Sequence, residues 1–178
     1  MAILEILHYP DNRLRQKCQN VEIFDDSLKE VVKKMLKTMY SAKGIGLAAI
    51  QVNIIKRIIV IDISEDRNNP MVLINPAINS YKDKIQFEEG CLSVPGFYEK
   101  IERYNKINFT ACKPDGSNYN SDAEGLLAVC IQHEIDHLNG KLFVDYLSSL
   151  KRDRITKKII KMQNEGIKIE RDNVPYNL

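Results

Sequence analysis

The 178-residue sequence predicts an α+β fold, in which antiparallel β-sheets pack around a buried central helix carrying a HExxH pentapeptide and a further helix closes the C-terminal end. Three observations predict it. Apolar Leu28, Val31, Val32, Met35, Leu36 and Met39 recur at helical spacing over residues 26–42. RIIVID at 57–62, VLINP at 72–76, KINFTACKP at 106–114 and the stretch around Tyr119 have strand character and are separated by Pro, Gly and Asn turns. Leu126 to Ile131 run apolar without a polar break, so a helix over 124–138 is buried nearly all round.

In chain order, the N-terminus carries Glu5, Asp11 and Arg13 among short apolar pairs, which excludes a signal peptide, and no run approaches membrane-spanning length. Four cysteines without a CxxC pair exclude a disulfide framework and point to a reducing, cytoplasmic setting with no membrane partner. After the helix over 26–42 comes KGIGLAAIQV at 43–52. Its GxG lacks the preceding strand and third glycine of a dinucleotide fingerprint, so it reads as a helix-terminating turn or as a close backbone approach to a substrate. Gly90 and Pro95 mark an irregular turn in EEGCLSVPG, and Asn139-Gly140 is a left-handed stop for the apolar helix. Ile155, Ile159 and Met162 then fall on one face of a C-terminal helix. With 44% hydrophobic and 28% charged residues the composition is that of an ordinary globular protein, read as one domain over 1–178 whose last part, 151–178, is a basic helix and tail. That last part holds eight Lys or Arg against four Asp or Glu, while the whole chain carries only +2. Basic charge is therefore concentrated there, on a helix that packs against the body or contacts an anionic surface.

The chemistry centres on His133-Glu134-Ile135-Asp136-His137. Imidazoles at i and i+4 project from one helical face and can grip one cation, with Glu134 within reach of a bound water. Two histidines are too few, because catalytic sites of this kind use three protein ligands and leave a position open. The chain has only one other histidine, His8, and LNGKLFVDY after His137 offers none at the metzincin position. A cysteine is the better candidate. Cys130 lies in the apolar run and reads as pocket lining or core, Cys112 alternates with Thr110 in a strand and reads as core, and Cys18 is uninformative. Cys91 stands apart, in a turn that could expose a thiolate and leave a neighbouring backbone N–H free. Gln51 offers an amide that could donate to a developing oxyanion.

Together, GIGLAAIQ, EGCLS and QHEIDHLNG, in that order, resemble the signature segments of the peptide deformylases. The likeness extends to ILHYPDNRLR, RIIVIDIS, INP and GKLFVDYLS, and so through about residue 150. The resemblance implies removal of the formyl group from the N-terminal methionine of new polypeptides. It implies metal ligation by Cys91, His133 and His137, acid–base catalysis by Glu134, oxyanion stabilisation by Gln51 and the Leu92 N–H, and substrate backbone against Gly46. The expected metal is Fe(II), with Ni(II), Co(II) or Zn(II) able to substitute. Ile45, Leu126, Val129 and Cys130 would suit a methionine pocket, or serve as plain core. Gly96-Phe97-Tyr98 at the cleft rim and Lys43 before the glycine segment depart from many relatives. The expected partners are N-formylmethionyl nascent chains, with a ribosome contact through the basic C-terminal segment and no DNA. The alternatives are a HExxH peptidase and a non-catalytic metal-binding relative.

Overall fold

The computed structural model describes residues 2–167. Helix α1 (Asp26–Ser41) starts where the Asp25 carboxylate accepts the Leu28 N–H at 3.0 Å, an N-cap worth about 1 kcal/mol. Its buried face is Leu28, Val32, Met35, Thr38 and Met39. The helix ends in a Schellman turn, with Lys43 N–H donating to Tyr40 O at 3.0 Å and Gly44 N–H to Met39 O at 2.9 Å. The left-handed position of that turn is Lys43, φ 56°, rather than a glycine. The glycines that follow are therefore not required for the stop.

Five strands follow: β1 (Gly46–Ala48), β2 (Ile58–Ile61), β3 (Met71–Cys91), β4 (Val94–Cys112) and β5 (Asn118–Glu124). They form one antiparallel sheet in sequential order, so every connection is a hairpin or short loop. The long β3–β4 ladder runs from Ile74↔Cys112 to Cys91↔Val94 and turns back on Leu92 and Ser93 alone. Register shifts interrupt it between Ile74 and Ala77, Ile78 and Ser80, and Glu89 and Cys91. At the first, Asn75 sits at φ 51° and pins the N-terminal segment by accepting Val21 N–H at 2.8 Å and donating to Val21 O at 2.9 Å. An Asn tolerates that backbone where a β-branched residue would not. Cys112, expected in the core, is only half-buried, because it lies at the end of the ladder opposite Asn118.

Helix α2 (Leu126–Leu138) is buried on nearly every side, as its apolar run predicts. It begins at 126 rather than 124 because Glu124 still belongs to β5 and Gly125, φ 62°, makes the corner. Ile45, Ile59, Ile61, Leu73, Ile107 and Phe109 pack around it. The opposite face of β1, β2 and the start of β3 packs on α1 through Leu47, Val60 and Ile74 against Met35 and Met39. Past α2, Gly140 adopts φ 75° where a Cβ would overlap the Arg15 carbonyl, so both conformation and space require glycine. Helix α3 (Ser149–Asn164) buries Ile155 and Ile159 against Leu7, Val94, Ile101 and Phe143, with Met162 half-buried beside them. The last part of the expected basic tail, 168–178, lies outside the described residues. No described helix is long and apolar enough to cross a membrane.

Candidate active site

His133 and His137 stand one turn apart on α2, their Nε2 atoms 3.2 Å from each other. Cys91, the last residue of β3, brings Sγ to 3.2 Å from His137 Nε2. The three donor atoms lie within 4.8 Å of one another, and all three residues are buried. A cation fits this spacing: metal–nitrogen bonds of about 2.0–2.1 Å at a tetrahedral angle separate two nitrogens by about 3.4 Å. The expectation of an exposed thiolate is overturned. Cys91 is 2% exposed, because the hairpin end packs into the cluster that holds α3 and residues 142–144. Its sulfur instead accepts the Ser93 N–H at 3.4 Å.

A buried ionic network holds the histidines. His133 Nδ1 donates to Glu89 Oε2 at 2.8 Å, which leaves the Nε2 lone pair facing the site. Arg103 of β4 grips Glu89 through Nε at 2.6 Å and a terminal nitrogen at 3.1 Å, and reaches Asp136 Oδ2 at 2.6 Å. Tyr146 donates to the same Asp136 oxygen at 2.8 Å, and the guanidinium lies 4.9 Å from its ring centroid. Burial alone would raise the Glu89 pKa, but His133 and Arg103 outweigh it and hold the carboxyl below its ordinary value. Burial lowers the pKa of His133, yet hydrogen bonds and charge from Cys91 and Glu89 prevail and raise it well above the ordinary value. Burial, followed by the charge on His133, pushes His137 well below its ordinary value and favours its neutral form.

Glu134 is fully buried, and its carboxylate lies against Gly46 of β1. Gln51, in the short turn Ala49–Val52, accepts Ala48 N–H through Oε1 at 2.8 Å. That bond aims Nε2 at the hairpin end, where it donates to Ser93 Oγ at 3.1 Å and lies 3.6 Å from Cys91 Sγ. The Leu92 side chain packs at Gly44, where a Cβ would sit only 2.7 Å from Leu92 Cδ1. The chemistry available is hydrolysis with a cation, a buried carboxylate and amide donors on one locus.

Residues 3–153 match the polypeptide deformylase family model. The chain belongs to that family. It is 58% identical over 166 residues to the peptide deformylase of Stutzerimonas stutzeri, covering 93% of this chain and 99% of that protein. It is 57% identical to the Pseudomonas aeruginosa enzyme with the same coverage. The crystal structure of a Legionella pneumophila peptide deformylase superposes with TM-score 0.88 at 47% identity, covering 93% of this chain and 98% of that one. That from Ehrlichia chaffeensis in complex with actinonin gives 0.88 at 40% identity, covering 92% and 99%.

In this deformylase-family chain, the fold brings Cys91, His133, His137, Glu134, Gln51 and Gly46 to one locus. Ile45, Val129 and Cys130 join the buried cluster around α2, with Leu126 half-buried at its margin. Burial, followed by the Glu134 and Glu89 charges, pushes the Cys130 thiol well above its ordinary value, so it is a neutral apolar surface. Sequence reasoning missed Glu89, Ser93, Arg103 and Tyr146, and gave Asp136 no role beyond its place in the motif. The available signal was an acid two residues before the cysteine, since alternate residues of a strand share a face.

Proposed function

We infer that this chain hydrolyses the N-formyl group of formylmethionyl polypeptides and releases formate. The observation that carries the reading is the convergence of a thiol and two imidazoles, all buried, beside a fully buried carboxylate. Cys91, His133 and His137 would hold a divalent cation, which when bound would supply Lewis acidity toward a water and the formyl carbonyl. The mixed thiolate and imidazole set suits Fe(II), our assignment for the native ion, and accepts Ni(II), Co(II) or Zn(II). Glu134 takes the water proton and returns it to the departing amine. Gln51 Nε2 and the Leu92 N–H donate to the oxyanion, each worth about 3 kcal/mol of barrier. Gly46 borders the substrate backbone, and Ile45, Leu126, Val129 and Cys130 line the methionine pocket.

The same reading assigns residues 1–178 to one domain working in the cytoplasm on nascent chains, with the basic surface of α3 facing ribosomal RNA. The test is a comparison of formyl-Met-Ala and acetyl-Met-Ala peptides on metal-loaded protein. Formate release should be far faster than acetate release, because the extra methyl must fit against the cation and Gly46. Folded, metal-loaded protein that leaves formyl peptides intact while cutting internal peptide bonds would make it a peptidase. Release of neither product would make it a non-catalytic relative.

A further inference from the structure

Gly46 opens the short, fully buried strand β1, where glycine is a poor choice. It has no side chain to pack and costs backbone entropy. Its conformation does not explain the choice: its φ lies outside the left-handed range, and it pairs with Ile61 in an ordinary antiparallel register. Space does explain it. A Cβ at this position would overlap Glu134 Oε1, sit 3.1 Å from Glu134 Cδ and 2.9 Å from Cys130 Sγ. Both neighbours are fixed on α2 and fully buried, so neither can swing into solvent.

We propose that Gly46 is a positioning residue for the Glu134 carboxylate: the volume of its missing side chain is the seat in which the catalytic oxygen rests. The strand backbone then forms one wall of that seat. This differs from a role in admitting the substrate, although one glycine can serve both. An alanine would displace the carboxylate by about 1 Å to restore ordinary contact distances. A shift of that size in a reacting group costs on the order of a hundredfold in rate. The expected split is a fall in kcat of about that size with KM little changed. A glycine needed only for substrate approach would instead raise KM and spare kcat.

The kinetic arm rests on the hydrolytic role of Glu134 inferred above, whereas the stability arm is independent of any activity. Gly46→Ala is placed in three backgrounds, the native chain, Cys130→Ala and Glu134→Ala, and thermal unfolding is measured on the metal-free proteins. The alanine should lower the unfolding midpoint in the native and Cys130→Ala backgrounds and cost less than half as much in Glu134→Ala, where the colliding carboxylate is gone. If Gly46→Ala fails to fold alone but folds with Glu134→Ala, the proposal is likewise supported. An undiminished cost in Glu134→Ala, or failure to fold in all three, overturns it. So does a folded Gly46→Ala enzyme with native kcat. Absence of deformylation by the native chain would remove the assigned reaction and leave the midpoint comparison intact.

Discussion

Replacing Glu89 with Gln should weaken metal binding without touching a ligand. Glu89 is fully buried and accepts three short bonds, from His133 Nδ1 at 2.8 Å and from Arg103 at 2.6 and 3.1 Å. Glutamine keeps the shape and one acceptor oxygen but removes the charge, so His133 loses the carboxylate that orients its ring and raises its basicity. Loss of such a partner costs about 10–100-fold in metal affinity. That is about 1.4–2.7 kcal/mol. A second effect acts on folding. Arg103, 5% exposed, keeps Asp136 as its one carboxylate, and breaking one arm of a buried pair costs about 3–5 kcal/mol. The retained acceptor puts Gln at the low end of that range.

The two effects separate by measurement. Ni(II) affinity by chelator competition reads the first, and thermal unfolding of metal-free protein reads the second. Glu102→Gln on the neighbouring strand β4 is the control. Its bond from Lys84 is as short, 2.7 Å, but the two side chains are 57% and 53% exposed. Such a pair is worth about 0–1 kcal/mol, so the control should change neither reading. Native Ni(II) affinity in folded Glu89→Gln would refute the orienting role, and equal losses in both variants would refute the weight given to burial.

Three further outcomes are expected. Cys91→Ala should lose most bound metal, whereas Glu134→Ala should keep about one ion per chain and lose turnover; full occupancy in Cys91→Ala by elemental analysis would remove that residue from the ligand set. Tyr40→Phe should destabilise the protein by about 1.5–3 kcal/mol at pH 7, because the phenol donates to buried Asp62 at 2.6 Å. Burial pushes the Asp62 pKa up, but Ser64, Tyr40 and the Asn69 N–H outweigh it and hold it below its ordinary value. The stabilisation is therefore complete above about pH 4 and lost as pH falls through the folded value. The gap between native and variant midpoints should narrow from pH 7 to pH 3, and a constant gap would contradict the sign. Lys157→Glu with Lys161→Glu, both on the exposed side of α3, should abolish salt-sensitive cosedimentation with ribosomes and spare activity on short formyl peptides; unchanged binding would sink the RNA contact. Truncation at Lys151 is unsuitable, since it removes core residues Ile155 and Ile159.

What was legible in the sequence is what local geometry decides. Amphipathic spacing over 26–42 and the apolar run before His133 give α1 and α2 nearly to the residue, and i, i+4 histidines need only a helix to converge. Long-range facts were not legible. Residues 77–90 belong to β3, yet YKDKIQFEE reads as a charged stretch, because only Ile85 and Phe87 turn inward while the other positions of 81–88 face solvent. Arg103 meets partners 14 and 33 positions away, and nothing near it in sequence marks it as buried. Cys91 was located by its turn but misjudged in exposure, since its cover comes from α3 and residues 142–144.

The site owes its form to a match between two regular repeats. On a strand, residues two apart share a face and stand about 6.8 Å from each other. On a helix, residues four apart share a face and stand about 6 Å from each other. Glu89 and Cys91 are the strand pair, and His133 and His137 are the helix pair. Laid side by side, they meet one to one: Glu89 takes His133 Nδ1 at 2.8 Å, and Cys91 Sγ approaches His137 Nε2 at 3.2 Å. Orientation of one imidazole and assembly of the proposed ligand set thus follow from the same contact between the β3 end and α2. The turn that ends β3 then adds Leu92, with the backbone N–H assigned to the oxyanion, and Ser93, on which Gln51 rests. A one-residue slip of β3 would carry both Glu89 and Cys91 to the opposite face together. The two-residue turn fixes the Cys91↔Val94 pairing, and the register shift before it sets Glu89 opposite Glu99, so the proposed cysteine ligand and its orienting carboxylate flank one irregularity of the ladder.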